Sequence, residues 1–197
     1  MSALGAAANR PRDQLILVDA SDREAGFLSK EECHQGAGRL HRAFSVFLFN
    51  RRGELLLQQR SAAKPLWPLF WSNTCCSHPR RGETVEAAAR RRLAEELALS
   101  AELRFLYKFE YRAEYQQIGT EHELCWVFAG IAAGEPRADA AEIAAWRYVT
   151  PAALTADIAA RPEQYTPWLR LEWPQVTALY LPGLAAQELQ GRQPTLT

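Results

Sequence analysis

The hydrophobic positions fall into two periods, and the changes between them mark out the elements. Residues 14–19 (QLILVD) form a short apolar run that ends in polar groups and reads as a strand. A polar stretch without periodic signal follows. Residues 41–50 (HRAFSVFLFN) read as a second strand, and Arg51-Arg52-Gly53 turns the chain into a third over 54–60 (ELLLQQR), with Gly where a hairpin turn needs it. Two prolines make 64–68 (KPLWP) a loop, and a short aromatic run over 69–72 comes next. Between 82 and 99 the period lengthens. Val85, Ala88, Ala89, Leu93 and Leu97 share a stripe at helical spacing, and Thr84 stands at the N-cap.

Strands are expected again over 103–112 and 121–131, joined by a polar turn containing Gly119. A loop over 135–141 leads to a last short strand at 146–149. Pro151 opens a helix at a position where its missing N–H costs nothing. The segment 162–189 is expected to be helical, with interruptions near Pro167, Pro174 and Pro182. This order implies an α+β layered domain: a single unit over 14–197 preceded by a flexible tail over 1–13.

Composition narrows the partners more than the fold. The 197 residues are 48% hydrophobic and 23% charged with a formal net charge of zero, ordinary for a globular domain. A balanced chain exerts no general pull on nucleic acid or on an anionic membrane. No apolar run approaches the roughly 20 residues that span a bilayer. Neither nucleic acid nor membrane is therefore an expected partner. Cys33, Cys75, Cys76 and Cys125 do not form a disulfide framework in a chain of this length, so reduced thiols in the cytoplasm are the simplest expectation.

Four histidines are present; His34 and His41 flank the approach to the second strand, and His78 follows Cys75-Cys76-Ser77. Their spacing does not match a zinc finger. Glu121 and Glu123 are separated by one residue in a strand, so both carboxylates face the same way and His122 faces the other. Either that face is solvated, or a divalent cation lies between the two charges. On the long helix, Glu95 reads as a solvated charge.

The run Ser77-x5-Glu83-x7-Arg91-x-Leu93-x-Glu95-Glu96 resembles the Nudix box, in which a loop and helix present glutamates to a metal on a diphosphate. It departs from that pattern in having Ser77 for a Gly, Arg92 for a Glu and Ala98 for the later Gly. The segments LHRAFSVFLFN, WSNTCCSHP, YRAEY, EHELCWVF and YTPW together resemble type-1 isopentenyl-diphosphate delta-isomerase, a branch of that superfamily, from about Leu15 to beyond Trp168.

The resemblance implies a Nudix-like α/β/α sandwich with a mixed, largely antiparallel sheet, and an isomerase moving one double bond of an isoprenoid diphosphate. Cys76 and Glu123 would be the acid/base pair, with the Tyr111 phenol assisting. His34, His41, His78, Glu121 and Glu123 would hold one divalent ion, manganese or zinc. Glu96, with the Cys76 carbonyl nearby, would hold a magnesium bridging to the substrate diphosphate. Lys30, Arg60, Lys64, Ser77 and Arg92 would bind the diphosphate, and Trp168 would face the hydrocarbon. Cys33, Cys75 and Cys125 receive no catalytic role, and Cys75 is expected to pack as a small hydrophobe. A monomer or weak homodimer is expected. The competing reading is a Nudix hydrolase of another diphosphate compound, which would need a fuller set of helix glutamates.

Overall fold

A computed structural model describes the backbone over residues 14–191 and side chains over 14–183; the expected tail at 1–13 lies outside the described residues. In chain order the elements are β1 (Leu15–Val18), β2 (Glu24–Leu28), α1 (Lys30–His34), β3 (His41–Phe49), β4 (Leu55–Arg60), β5 (Trp71–Ser72) and β6 (Cys75–Ser77). These are followed by α2 (Val85–Leu97), β7 (Leu103–Tyr115), β8 (Gly119–Ile131), β9 (Ile143–Val149), α3 (Pro151–Ala160) and α4 (Pro167–Gly191).

β3 runs through the centre. It pairs in parallel with β8 along its whole length, His41 beside Glu123 through Phe49 beside Ile131. The other pairings are antiparallel: β1 with β2 and β3, β3 with β4 and β6, β4 with β5 and β9, and β7 with β8. On one face Phe44, Val46, Leu48 and Phe128 meet Ala88, Ala89, Leu93 and Leu97 of α2. On the other, Phe47, Phe49, Val127 and Ala129 meet Leu154 of α3 and Leu169, Trp173 and Val176 of α4. A strand covered on both sides has no polar face, which is why FSVFLF shows so little alternation. Each fully buried Leu or Phe here contributes about 1.5–3 kcal/mol. The α/β/α sandwich and the mixed, largely antiparallel sheet are therefore both present.

Several boundaries differ from expectation. The polar stretch before β3 contains β2 and α1. The β3–β4 hairpin is hardly one at all: only Phe49 and Leu55 pair, and β4 then turns to β9 and β5. Gly119 opens β8 and is not in the turn, and β7 and β8 are each longer than expected because Tyr115 and Gly119 still pair. β9 begins at Ile143, three residues early. After a short 3-10 turn at Pro162–Gln164, α4 starts at Pro167 and runs through Pro174 and Pro182 without ending. Proline inside a helix costs about 3 kcal/mol. Here Leu169, Trp173, Val176 and Tyr180 are buried on both sides of Pro174, and their packing outweighs it.

Candidate active site

Three short elements and one long strand bring the histidines together. α1 is only five residues long, yet it is fixed at its start by a reciprocal cap: Ser29 accepts from the Glu32 N–H, and Glu32 accepts from the Ser29 N–H. Its far end lies on the start of β8, where Thr120 donates to the Gly36 carbonyl at 2.7 Å. This puts His34 Nε2 2.6 Å from Glu121 Oε2. The β3–β8 register sets His41 beside Glu123, with Nε2 3.7 Å from Oε1, and His78, just after β6, reaches the same oxygen at 2.8 Å. His122 points away and meets Glu110 at 3.0 Å.

The donor set fits a divalent cation. One ligand atom from each of His34, His41, His78, Glu121 and Glu123 lies within 4.8 Å of every other. His34 Nδ1 is 2.6 Å from the Lys30 carbonyl and His41 Nδ1 is 2.7 Å from the Arg39 carbonyl. A carbonyl only accepts, so each Nδ1 carries the proton and each Nε2 keeps its lone pair. Those two Nε2 atoms and Glu121 Oε2 are buried without a hydrogen-bond partner. A lone pair facing a carboxylate oxygen at 2.6 Å repels it unless positive charge lies between them. Burial, then the neighbouring His34, pushes His41 down to about 4, and burial pushes His78 well below the usual range, so both rings favour the neutral, ligating form. The two glutamates separate. Burial works against Glu121, but with the Lys30 ammonium nearby it stays low, whereas burial and then the Glu121 charge push Glu123 high.

Beside the cluster lies a cavity of about 300 Å³. Cys76, Tyr111, Glu123 and Trp168 are among the residues that line it. Alternation along β6 divides the two cysteines: Cys75 is fully buried in the α2-facing core, and Cys76 faces the cavity. The loop before β6 is tied to the sheet by Thr74, which accepts from the Leu48 N–H and donates to the Leu56 carbonyl. Asn73 adds a bond to the Cys75 carbonyl. Burial, with Glu96 and Glu123 adding to it, pushes the Cys76 thiol up to about 12 against the opposing pull of Arg60 and Lys64, so it is a proton-bearing thiol at neutral pH. Tyr111, the β7 partner of Glu123, donates to its Oε2 at 2.6 Å. Trp168 is buried, with its Nε1 held by Ser72 Oγ and Asn73 Oδ1 at 3.0 and 3.1 Å. It is both core and cavity wall.

Cations line the rest of the cavity: Lys30, Arg60, Lys64 and Arg92, with Arg80 and Arg91. Ser77 lies on the same wall. Arg60 is less free than a surface arginine, because its guanidinium donates to the carbonyls of Trp67 and Leu66 and sits 5.2 Å from the Trp168 ring. Glu96 lies behind the wall, not on it. It is 2% exposed and held by Arg92 at 2.6 Å, while Glu95 stays exposed. Glu142, which falls between the expected loop over 135–141 and the strand at 146–149 and received no role, is on the wall and accepts from both Lys64 and Arg92. The signal for it was weak: the β9 pattern becomes clear only at Trp146, four residues later. α1 had a better one, since Ser29-x-x-Glu32 is a capping-box sequence.

The NUDIX domain family matches residues 39–169. Among solved structures, DR0079 from Deinococcus radiodurans superposes with a TM-score of 0.61 at 26% identity, covering 75% of this chain and 89% of that one. A MutT NUDIX hydrolase from Burkholderia pseudomallei shares the fold at a TM-score of 0.57 and 22% identity, over 71% of this chain and 99% of its own. Among curated relatives, the isopentenyl-diphosphate Delta-isomerase of Nocardia farcinica is 50% identical over 78% of this chain and 88% of its own length. The isopentenyl-diphosphate Delta-isomerase 1 of Photorhabdus laumondii is 39% identical over 83% and 94%. Fold and site thus define a Nudix-domain protein, and within that class the chain belongs to the isopentenyl-diphosphate Delta-isomerase family.

Proposed function

We propose that the chain interconverts isopentenyl diphosphate and dimethylallyl diphosphate, with Cys76 and Glu123 as the proton-transferring pair. The observation that carries this reading is the meeting, in one cavity, of a neutral thiol, a tyrosine-bound glutamate and a rim of lysine and arginine. Moving the double bond requires a proton added at one carbon and another removed two bonds away. An alkene is a weak base, so its protonation builds positive charge on carbon. Cys76 holds its proton at Sγ, and Tyr111 on Oε2 with His78 on Oε1 fix the plane of the Glu123 carboxyl beside the cavity. Trp168 and Tyr111 line the cavity, with Trp67 edge-on to Trp168, and an aromatic face there can meet developing positive charge, worth about 1–2 kcal/mol.

His34, His41, His78, Glu121 and Glu123 would hold zinc or manganese, which when bound orients Glu123 and lowers its affinity for a proton. Glu96, once released from Arg92, would hold a magnesium that offsets the charge of the diphosphate. Lys30, Arg60, Lys64, Ser77 and Arg92 would bind the diphosphate itself, Lys as point charges and Arg by its fork. That leaves the short hydrocarbon pointing at the reacting pair. No helix among the described residues is long and apolar enough to cross a membrane. We expect a cytoplasmic monomer or weak homodimer that needs neither nucleic acid nor membrane.

The test is to incubate the protein with isopentenyl diphosphate, magnesium and zinc or manganese in heavy water. Dimethylallyl diphosphate carrying deuterium is the expected product. Phosphate release without the isomer would favour a Nudix hydrolase.

A further inference from the structure

Glu142 sits among the cations of the cavity wall. Its backbone is anchored, with the N–H donating to the Asp139 carbonyl at 3.0 Å and the carbonyl accepting from the Ser61 N–H at 2.9 Å. Its carboxylate stands on the cavity wall. Oε2 accepts from Lys64 Nζ, and Oε1 accepts from Arg92 Nη2 at 2.8 Å. Arg92 spends its other bonds on Glu95 and on Glu96. Both cations that Glu142 binds line the cavity, and both are largely shielded from water, with side chains 21% and 16% exposed. Glu142 holds one of the three N–H donors of Lys64 and sets its negative charge against any phosphate that approaches the other two.

We propose that Glu142 is an intramolecular stand-in for the ligand's phosphate: it occupies Lys64 and Arg92 in the empty site, gives up Lys64 to an entering diphosphate, and so weakens diphosphate binding. The inference rests on the reading of this cavity as a diphosphate site. It explains why a carboxylate lies among the cations of an anion site, where it reduces the attraction. Substrate and product of the proposed reaction carry the same diphosphate, so tighter binding would hold both equally and would not speed the chemistry. A carboxylate that reclaims Lys64 helps the product leave. It also keeps two shielded cations paired while the site is empty.

The experiment compares wild type with Glu142→Gln and Glu142→Asp by calorimetric titration with inorganic pyrophosphate in the presence of magnesium. Glu142→Gln keeps the size and removes the charge, and it should tighten pyrophosphate binding by about three- to tenfold. Glu142→Asp keeps the charge and should stay within about twofold of wild type. In turnover, Glu142→Gln should lower KM without raising kcat. Unchanged or weaker pyrophosphate binding by Glu142→Gln, in a protein where wild type binds it, overturns the inference alone. Glu142→Asp behaving like Glu142→Gln overturns it too, because the charge would then not be the cause. Failure of wild type to bind pyrophosphate overturns the reading of the cavity along with it. One observation needs no variant: a crystal structure of wild type with pyrophosphate should show Lys64 on a phosphate oxygen and parted from Glu142. Persistence of the Lys64–Glu142 pair in that complex would sink the idea.

Discussion

At the scale of single residues, the fold places side chains of one type in opposite roles. Cys75 and Cys76 are neighbours in sequence, but strand alternation sends one into the core and the other to the cavity. Under the proposed mechanism Cys76→Ala should abolish isomerisation, while Cys75→Ala keeps most of it and loses some stability. Equal losses of activity would undo the assignment of the thiol. Glu172, one helical turn beyond Trp168, is a different case. It is fully buried, its Oε2 has no partner, and its Oε1 meets the Cys125 thiol at 3.5 Å. Burial raises its carboxyl from 4.5 to about 8, only partly opposed by Ser45 and Cys125. A raised folded value favours the fold fully below pH 4.5, and that advantage is lost as pH rises through about 8. Glu172→Gln cannot ionise. Its stability gain over wild type in urea unfolding should be small at pH 5 and grow by about 1.4 kcal/mol per pH unit toward pH 8. A gain independent of pH would mean that the carboxyl does not hold its proton in the fold.

At the scale of elements, legibility in the sequence followed the length of the hydrophobic period. α2 was readable because its stripe persists for three turns, and Thr84 caps it by accepting from the Ala87 N–H at 3.2 Å. β3 was readable from its unbroken apolar run. α1 and β2 were not, because five-residue elements bury too few side chains to leave a period. The carboxylate face of Glu121 and Glu123 could be derived from alternation alone. Its partners could not, since His34, His41 and His78 come from three separate segments that the pairings of β3 with β8 and β6 and the α1 contact unite; the family resemblance supplied them. Ala98 shows how a sequence departure becomes a physical cost. It ends α2 at φ 52°, a left-handed conformation in which a Cβ is strained. Ala98→Gly should therefore raise stability by about 0.5–1 kcal/mol in chemical denaturation, with activity unchanged. Gly119 has the opposite sensitivity. A Cβ there would come within 2.9 Å of the His34 carbonyl oxygen and 3.1 Å of Leu66. Backbone cannot yield as a side-chain tip does, so Gly119→Ala should push the end of α1 off β8 and move His34 from Glu121. Weaker binding of zinc or manganese is expected, with a nearly intact far-ultraviolet dichroism spectrum. Wild-type metal affinity in that variant would show that α1 tolerates the shift.

At the scale of the whole molecule, a chain of zero net charge has sorted its charges by position. Six basic side chains, those of Lys30, Arg60, Lys64, Arg80, Arg91 and Arg92, line one cavity, and two acidic ligands with three histidines gather beside it. An ion held by this cluster would tie the short α1 and the segment after β6 to the paired strands β3 and β8. Without an ion, Glu121 and Glu123 repel each other and two imidazole lone pairs are buried unpaired. An ion that binds only the folded state stabilises it by RT ln(1 + [M]/Kd), about 2.7 kcal/mol when the ion stands at a hundredfold its dissociation constant. For a domain of this size that corresponds to roughly 5–10 °C in melting temperature. Chelation of the metal-loaded protein should lower Tm by that amount, and added zinc or manganese should restore it. His41→Ala removes a ligand whose ring is wholly buried, so it should start with a lower Tm and respond little to either treatment. A wild-type Tm indifferent to chelator, in protein first shown to contain the ion, would mean that the cluster binds without bracing the fold. A full response in His41→Ala would take that histidine out of the ligand set.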